Sequence, residues 1–190
     1  MVIEALAGYD NNGAMFPRLA TEVPTVGNGG IYSDLKSITW NLKPGIMWSD
    51  GTAFTSADVL FTYDYCMGEA GCYQEAKFEG VTNIEALNDL TVKISFADPT
   101  PNPYGPFVGS QTPILQKAQF ENCTGTRRQE CTEENFGPIG TGAFVVTEFR
   151  PNDVIQLKAN ENYRDSSKPA FATMVFKGGG DAAAAGRAVM

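Results

Sequence analysis

Residues 38–59 read ITWNLKPGIMWSDGTAFTSADV, and the period of the apolar positions changes partway along. Ile38, Trp40 and Leu42 alternate with polar neighbours, the mark of a strand with one buried face. Pro44-Gly45 turns the chain. Ile46-Met47-Trp48 is expected as a short apolar strand, and Ser49-Asp50-Gly51 turns it again. Thr55 stands three residues before Asp58, the spacing of a capping box in which each side chain satisfies an orphan N–H. Ala57, Leu60, Phe61 and Tyr65 follow at helical spacing and are expected to face the core. The helix is expected to end near Gly68, with Gly71 in the loop beyond. Strand, turn, strand, turn and capped helix make a packing unit that requires no chemistry of its own.

Around this unit the pattern is mixed. Residues 2–9 are apolar, a short helix or strand, and Asn11-Asn12-Gly13 is a turn. Residues 14–26 carry two prolines and read as irregular. Residues 81–96 read as a hairpin turning at Asn88-Asp89, with Val92, Ile94 and Phe96 alternating after it. Five prolines between 98 and 113 exclude regular structure from most of that stretch. Residues 114–121 are expected as a short helix, and 122–136 as a polar insertion loop stapled at its base. Strands at 143–149 and 154–159 pair around Pro151-Asn152-Asp153, and 171–177 is one more strand. The alanine-rich tail, 181–190, reads as helical and as an interrupted element. The order of elements gives an α+β (mixed α/β) fold.

Composition narrows the chemistry. The chain of 190 residues has no histidine, which excludes a Ser-His-Asp triad, a Cys-His dyad and a histidine zinc site within it. Its net charge is −8, and Arg127-Arg128 is only a pair, so nucleic acid and anionic lipid are disfavoured partners. The carboxylates at Asp98, Glu121, Glu130, Glu133, Glu134, Asp153 and Glu161 are scattered or in polar runs. They read as a solvated face rather than a catalytic pair. Gly137-Pro138-Ile139-Gly140-Thr141-Gly142 lacks the Lys-Ser/Thr pair and the following helix of a phosphate loop; it reads as a tight lead into a strand. Asn122-Cys123-Thr124 fits a glycosylation sequon.

Cys66, Cys72, Cys123 and Cys131 lack the C-x2-C spacing of zinc knuckles and redox dithiols. Two local disulfides, Cys66–Cys72 and Cys123–Cys131, are the simplest of three connectivities. A four-cysteine zinc site is the alternative. Disulfides imply an oxidising compartment outside the cytosol. No run of 18 apolar residues is present. No signal peptide is visible, so an exported protein would have lost its natural N-terminus.

The 38–59 stretch closely resembles a signature of the family 5 extracellular solute-binding proteins, the peptide, dipeptide and nickel group. The matching residues are Leu42-Lys43-Pro44-Gly45, Trp48, Ser49-Asp50-Gly51-Thr52 and Thr55-Ser56-Ala57-Asp58-Val59. Residues 4–20 resemble the family's opening, with Ala5 where glycine is usual. Residues 137–149 resemble its P-x-G-T-G strand start, and 151–177 its hairpin and following strand. The likeness breaks at 66–80 and 120–135, the cysteine-bearing segments.

The resemblance implies part of lobe one of a two-lobed periplasmic-binding-protein fold plus the extra domain of the peptide-binding group. Residues 1–36 and 137–190 would belong to the lobe-one core and 37–136 to the extra domain, the second lobe being absent. It implies a substrate-binding component of an ABC importer, not an enzyme, that captures oligopeptide or dipeptide and docks on membrane permease subunits. No cofactor and no metal are expected. Gly109, Ser110 and Gln111 would enter the cleft as a loop, and Tyr73 would offer an aromatic face to the ligand; otherwise these residues only satisfy a loop or pack beside the Cys66–Cys72 staple. The protein would be periplasmic or extracellular, membrane-associated through a missing N-terminal lipid or signal segment. An orphaned half-cleft could make this fragment dimerise. The competing readings are a secreted carboxylate-dependent hydrolase domain and a non-binding structural fragment.

Overall fold

A computed structural model describes residues 1–69 and 71–178; the expected helix at 181–190 lies outside them. The strands are β1 (Ala7–Tyr9), β2 (Met15–Pro17), β3 (Ser37–Asn41), β4 (Val81–Asn88), β5 (Thr91–Phe96), β6 (Phe144–Arg150), β7 (Val154–Ala159) and β8 (Thr173–Lys177). The α-helices are α1 (Ser56–Met67), α2 (Lys117–Phe120) and α3 (Thr132–Phe136), with 3-10 turns at Glu75–Phe78 and Gly125–Glu130. All strand pairs are antiparallel, in three small sheets ordered β1-β2, β3-β5-β4 and β6-β7-β8. The fold is thus the mixed type expected from the order of elements.

Alternation explains the central sheet. Ile38 and Trp40 on β3 stand opposite Ile94 and Val92 on β5, and all four are fully buried. Leu6, Leu19, Trp48, Val59, Phe107 and Ile114 join the same cluster. Packing therefore runs without a break across residues 36 and 37, where the sequence division into lobe core and extra domain falls.

Helix α1 begins as its sequence dictates. Thr55 Oγ1 accepts from the Ala57 amide at 3.3 Å, Asp58 Oδ2 accepts from the Thr55 amide at 3.0 Å, and the reciprocal capping box is present. Its buried face differs from the expectation. Ala57 is exposed and Leu60 and Phe61 are half-buried, while Ser56, Asp58, Val59, Thr62, Tyr65 and Cys66 are buried. The reason is polar. Asp58 Oδ1 accepts from the Lys117 amide at 3.0 Å, and Thr62 Oγ1 accepts from the Leu115 amide at 2.9 Å. The helix thus turns two polar residues toward the 115–117 backbone, a face that hydropathy does not mark.

Three further expectations need correction. Ile46-Met47-Trp48 forms no extended strand, only a Met47–Ala53 bridge flanked by Trp48 N donating to Thr52 O at 2.8 Å and Phe54 N to Ile46 O at 3.0 Å; the turn at Ser49-Asp50-Gly51 and the helix that starts at Ser56 leave no length for more. Residues 14–26 are not wholly irregular, since β2 pairs with β1. The 122–136 segment is partly helical, a 3-10 turn followed by α3. The structure joins Cys66 to Cys72 and Cys123 to Cys131, with Cα–Cα distances of 4.5 and 5.8 Å, and no cysteine is free.

Candidate functional site

Residues 4–9 form a strap held on two sides. On one side Leu6 O accepts from Arg18 N at 2.9 Å. On the other, Leu6 N donates to Phe107 O and Gly109 N to Ala7 O, both at 2.9 Å, and Ile114 N donates to Glu4 O at 2.8 Å. The proline-rich segment thereby acquires a fixed course, with Ala7 bridged to Val108 in parallel. Phe107 and Gly109 both have positive φ, 58° and 83°, so the chain folds sharply on either side of Val108. The Tyr9 ring lies at ordinary contact distance, 3.8 Å, from where a Cβ on Gly109 would stand, so it is the positive φ that calls for glycine here.

Beyond this turn, residues 109–113 separate two hollows. The first, about 290 Å³, is lined by Glu4, Gly8, Tyr9, Arg18, Gly109 and Ser110 among others. The second, about 210 Å³, is lined mainly by apolar groups: Tyr65, the Cys66–Cys72 bridge, Tyr73, Phe78, Pro113 and Leu115, with Gln111 at its edge. Pro113 lines both. Of the four residues expected from the sequence, Gly109 and Ser110 open on the first hollow, and Tyr73 and Gln111 on the second. Ser110 and Gln111 are exposed, and Tyr73 is 98% exposed. The Gly109 amide is already taken by Ala7, so its remaining contribution is shape.

The first hollow also holds charged residues that the sequence reading missed. Glu4 is buried, and Arg164 grips it with both nitrogens, Nη1 to Oε2 at 2.6 Å and Nη2 to Oε1 at 2.9 Å. Thr141 Oγ1 donates to the same carboxylate at 3.2 Å. Arg18 stands further off, 3.6 Å from Oε1. Lys43 Nζ donates to the Arg18 carbonyl at 2.8 Å. Burial, and then the neighbouring Arg164 charge, hold the Lys43 ammonium below its ordinary range. Two guanidinium groups thus flank one carboxylate, with the Lys43 ammonium behind Arg18. The only sequence signal was the strand at Met15–Pro17, obscured by Pro17; recognising it would have set Arg18 beside the strap.

The carboxylate chemistry of a hydrolase has little to work with in the interior. The two buried carboxylates among the described residues, Glu4 and Asp58, are both committed to internal donors. Desolvation raises the Asp58 carboxyl above its ordinary range despite the hydrogen bonds from the Lys117 and Thr55 amides and the Trp48 indole. Cys123, Cys131 and Glu134 lie close enough together to suggest a metal, but both sulfurs are in the disulfide. No helix of the described residues is long and apolar enough to cross a membrane.

Comparison with known proteins fits this frame. The model of the bacterial extracellular solute-binding proteins, family 5 Middle, matches residues 14–190. Protein XP55 of Streptomyces lividans is 28% identical over 171 residues, 89% of this chain and 29% of the relative. The peptidoglycan-binding protein YepA of Agrobacterium fabrum is 27% identical over 127 residues, 66% of this chain and 20% of the relative. The oligopeptide-binding protein AppA of Bacillus subtilis, solved with a nonapeptide, superposes with a TM-score of 0.85 at 25% identity, covering 100% of this chain and 36% of AppA. NikZ of Campylobacter jejuni, solved with Ni(L-His), superposes at 0.84 with 23% identity, again covering 36% of that protein, and shows the shared fold. The chain therefore spans less than a third of these curated relatives and about a third of these structures. With the strap, the capped helix and the family match in agreement, the chain belongs to the bacterial extracellular solute-binding proteins of family 5.

Proposed function

We propose that the protein is the solute-binding component of an ABC importer and that its solute is an oligopeptide or dipeptide. The observation that supports this most is the 109–113 segment, which serves a charged hollow and an apolar one side by side. A ligand with a polar backbone and varied side chains suits such a pair better than a uniform sugar or a bare metal ion does. Tyr73 and Gln111 would then contact a side chain, and Gly109 and Ser110 the ligand's polar part. Capture would be completed by closure of a second lobe and followed by docking on the permease. In this reading 1–36 and 137–190 serve the lobe-one core and 37–136 the extra domain, although one hydrophobic cluster holds parts of both. The protein would work outside the cytosol, and it would bind without turning over.

Calorimetric titration of di- to pentapeptides into the full-length protein tests this. Saturable one-site binding is expected. Silence toward peptides alongside binding of sugars or metal chelates would replace the peptide assignment while leaving the family intact.

A further inference from the structure

Arg18 is held in an unusual way for a cation beside a buried acid. The carboxylate it approaches already has two guanidinium hydrogen bonds and a hydroxyl from other residues, at 2.6, 2.9 and 3.2 Å. At 3.6 Å from Oε1, Arg18 gains Coulombic attraction but no short hydrogen bond. Its side chain is 40% exposed and lines the first hollow. The side chain lies across two neighbours. Its Cζ lies 5.0 Å from the centroid of the Phe16 ring. Its Nε passes so close to Gly8 that a Cβ there would stand 2.6 Å away. The missing side chain at Gly8 thus leaves the space that the Arg18 side chain occupies.

The local charge is also out of character with the chain. Glu4 is flanked by two guanidinium groups, Arg18 and Arg164, with the Lys43 ammonium on the Arg18 carbonyl, within a protein of net charge −8. Arg164 is committed to Glu4, and Lys43 to the Arg18 carbonyl. Among the described side chains, Arg18 supplies the charged donors on the wall of the hollow that have no short internal acceptor. Ser110, on the same wall, supplies a neutral hydroxyl. A planar fork of donors, laid over the Phe16 ring and partly shielded from water, matches one chemical class best: a carboxylate, which it can engage through two parallel hydrogen bonds.

We infer that Arg18 is a ligand-contacting residue, and that the hollow it shares with Ser110 recognises a carboxylate of the bound solute. This rests on the solute-binding reading above and sharpens it, since it specifies an acidic group facing lobe one.

The test uses the full-length protein and matched peptides. One series compares a free C-terminus with its amide, and another compares Glu with Gln at each position, which separates a terminal from a side-chain carboxylate. In the wild type, neutralising one particular carboxylate is expected to weaken binding on the order of 10- to 100-fold. In Arg18→Gln that penalty is expected to vanish, with the neutral peptides bound as by the wild type. Arg18→Lys keeps the charge without the fork and is expected to recover only part of the discrimination. Gly8→Ala, which displaces the guanidinium without removing it, is expected to reduce it too. If the wild type binds peptides with no preference between acid and amide at any position, the carboxylate site is wrong and the peptide reading stands. If Arg18→Gln weakens acidic and neutral peptides equally, Arg18 is structural and the inference fails. If no peptide binds, both readings fall together.

Discussion

Glu4 and Arg164 stand 160 positions apart and meet in a two-pronged ion pair, at 2.6 and 2.9 Å, that ties the N-terminal strap to the segment after β7. Glu4 is 6% exposed and the Arg164 side chain 22%. Breaking such a pair leaves a desolvated charge with no partner, at about 3–5 kcal/mol for a fully buried pair and toward the low end here. Glu4→Gln is therefore expected to destabilise by about 3 kcal/mol in urea denaturation. Glu4→Leu with Arg164→Met together is expected to cost less than the sum of the singles, because neither charge is then stranded. Additive effects would show that the pair contributes nothing of its own.

Asp58 joins three segments through one carboxylate: the helix start, the Trp48 turn and the α2 backbone. All three partners are donors. Asp58→Asn replaces one acceptor with an NH2 group that faces a donor, so a loss of about 2 kcal/mol is expected. The pH dependence has a definite sign. Burial raises this carboxyl in the folded state, so its contribution is fully present below the unfolded carboxylate pKa of about 4 and is lost as pH rises through the raised folded value. The stability advantage of wild type over Asp58→Asn should shrink as pH rises through that window. An advantage that grows with pH would mean that the three donors outweigh burial.

Helix α1 shows what the sequence could and could not reveal. The Thr55–Asp58 box was legible because capping is a local matter of spacing. The helix face was not, because Asp58 and Thr62 turn inward toward backbone donors 53 and 59 positions away. The 81–96 hairpin was legible from its alternation, yet the residues between strands are Asp89 and Leu90, one step later than expected. The Asn88 side chain accepts from the Leu90 amide at 2.9 Å and so closes the turn without the usual glycine. The proline-rich stretch was legible as irregular, and its residues 109–113 line two hollows. Arg18 was passed over because its importance arises from pairing between short strands, which no run of residues encodes.

The 122–136 segment packs Cys123 and Cys131 in a small separate core with Tyr65 of α1 and Phe120 of α2, and Arg128 stacks 3.8 Å from the Tyr65 ring centroid. The Cys123–Cys131 bridge closes a short loop, sequence separation 8, for which chain entropy gives about 2.5 kcal/mol. Replacing both cysteines with serine is expected to lower stability by roughly that amount and to raise hydrogen exchange in 122–136 first. Uniformly faster exchange across β3-β5-β4 would mean that the bridge supports the main core instead.

Gly140 and Gly142 were read as a tight lead into β6, but the structure gives a more specific cause. The Gly142 amide donates to Val2 O at 2.7 Å and the Phe144 amide to Met1 O at 3.1 Å, so the first residues lie directly against this turn. A Cβ on Gly140 would stand 2.6 Å from the Val2 carbonyl carbon, and one on Gly142 would stand 2.7 Å from that of Met1. Backbone cannot swing aside as a side-chain tip can. Gly142→Ala is therefore expected to cost about 1–3 kcal/mol and to loosen the strap that positions Glu4 and Arg18. Gly27→Ala is the control, since a Cβ there meets only Thr25 Oγ1 at 3.7 Å, and a change within about 0.5 kcal/mol is expected. If Gly142→Ala is as stable as Gly27→Ala while peptide affinity falls, the strap moves without unfolding and couples the turn to the hollow. If neither property changes, the strap does not depend on this turn for its position.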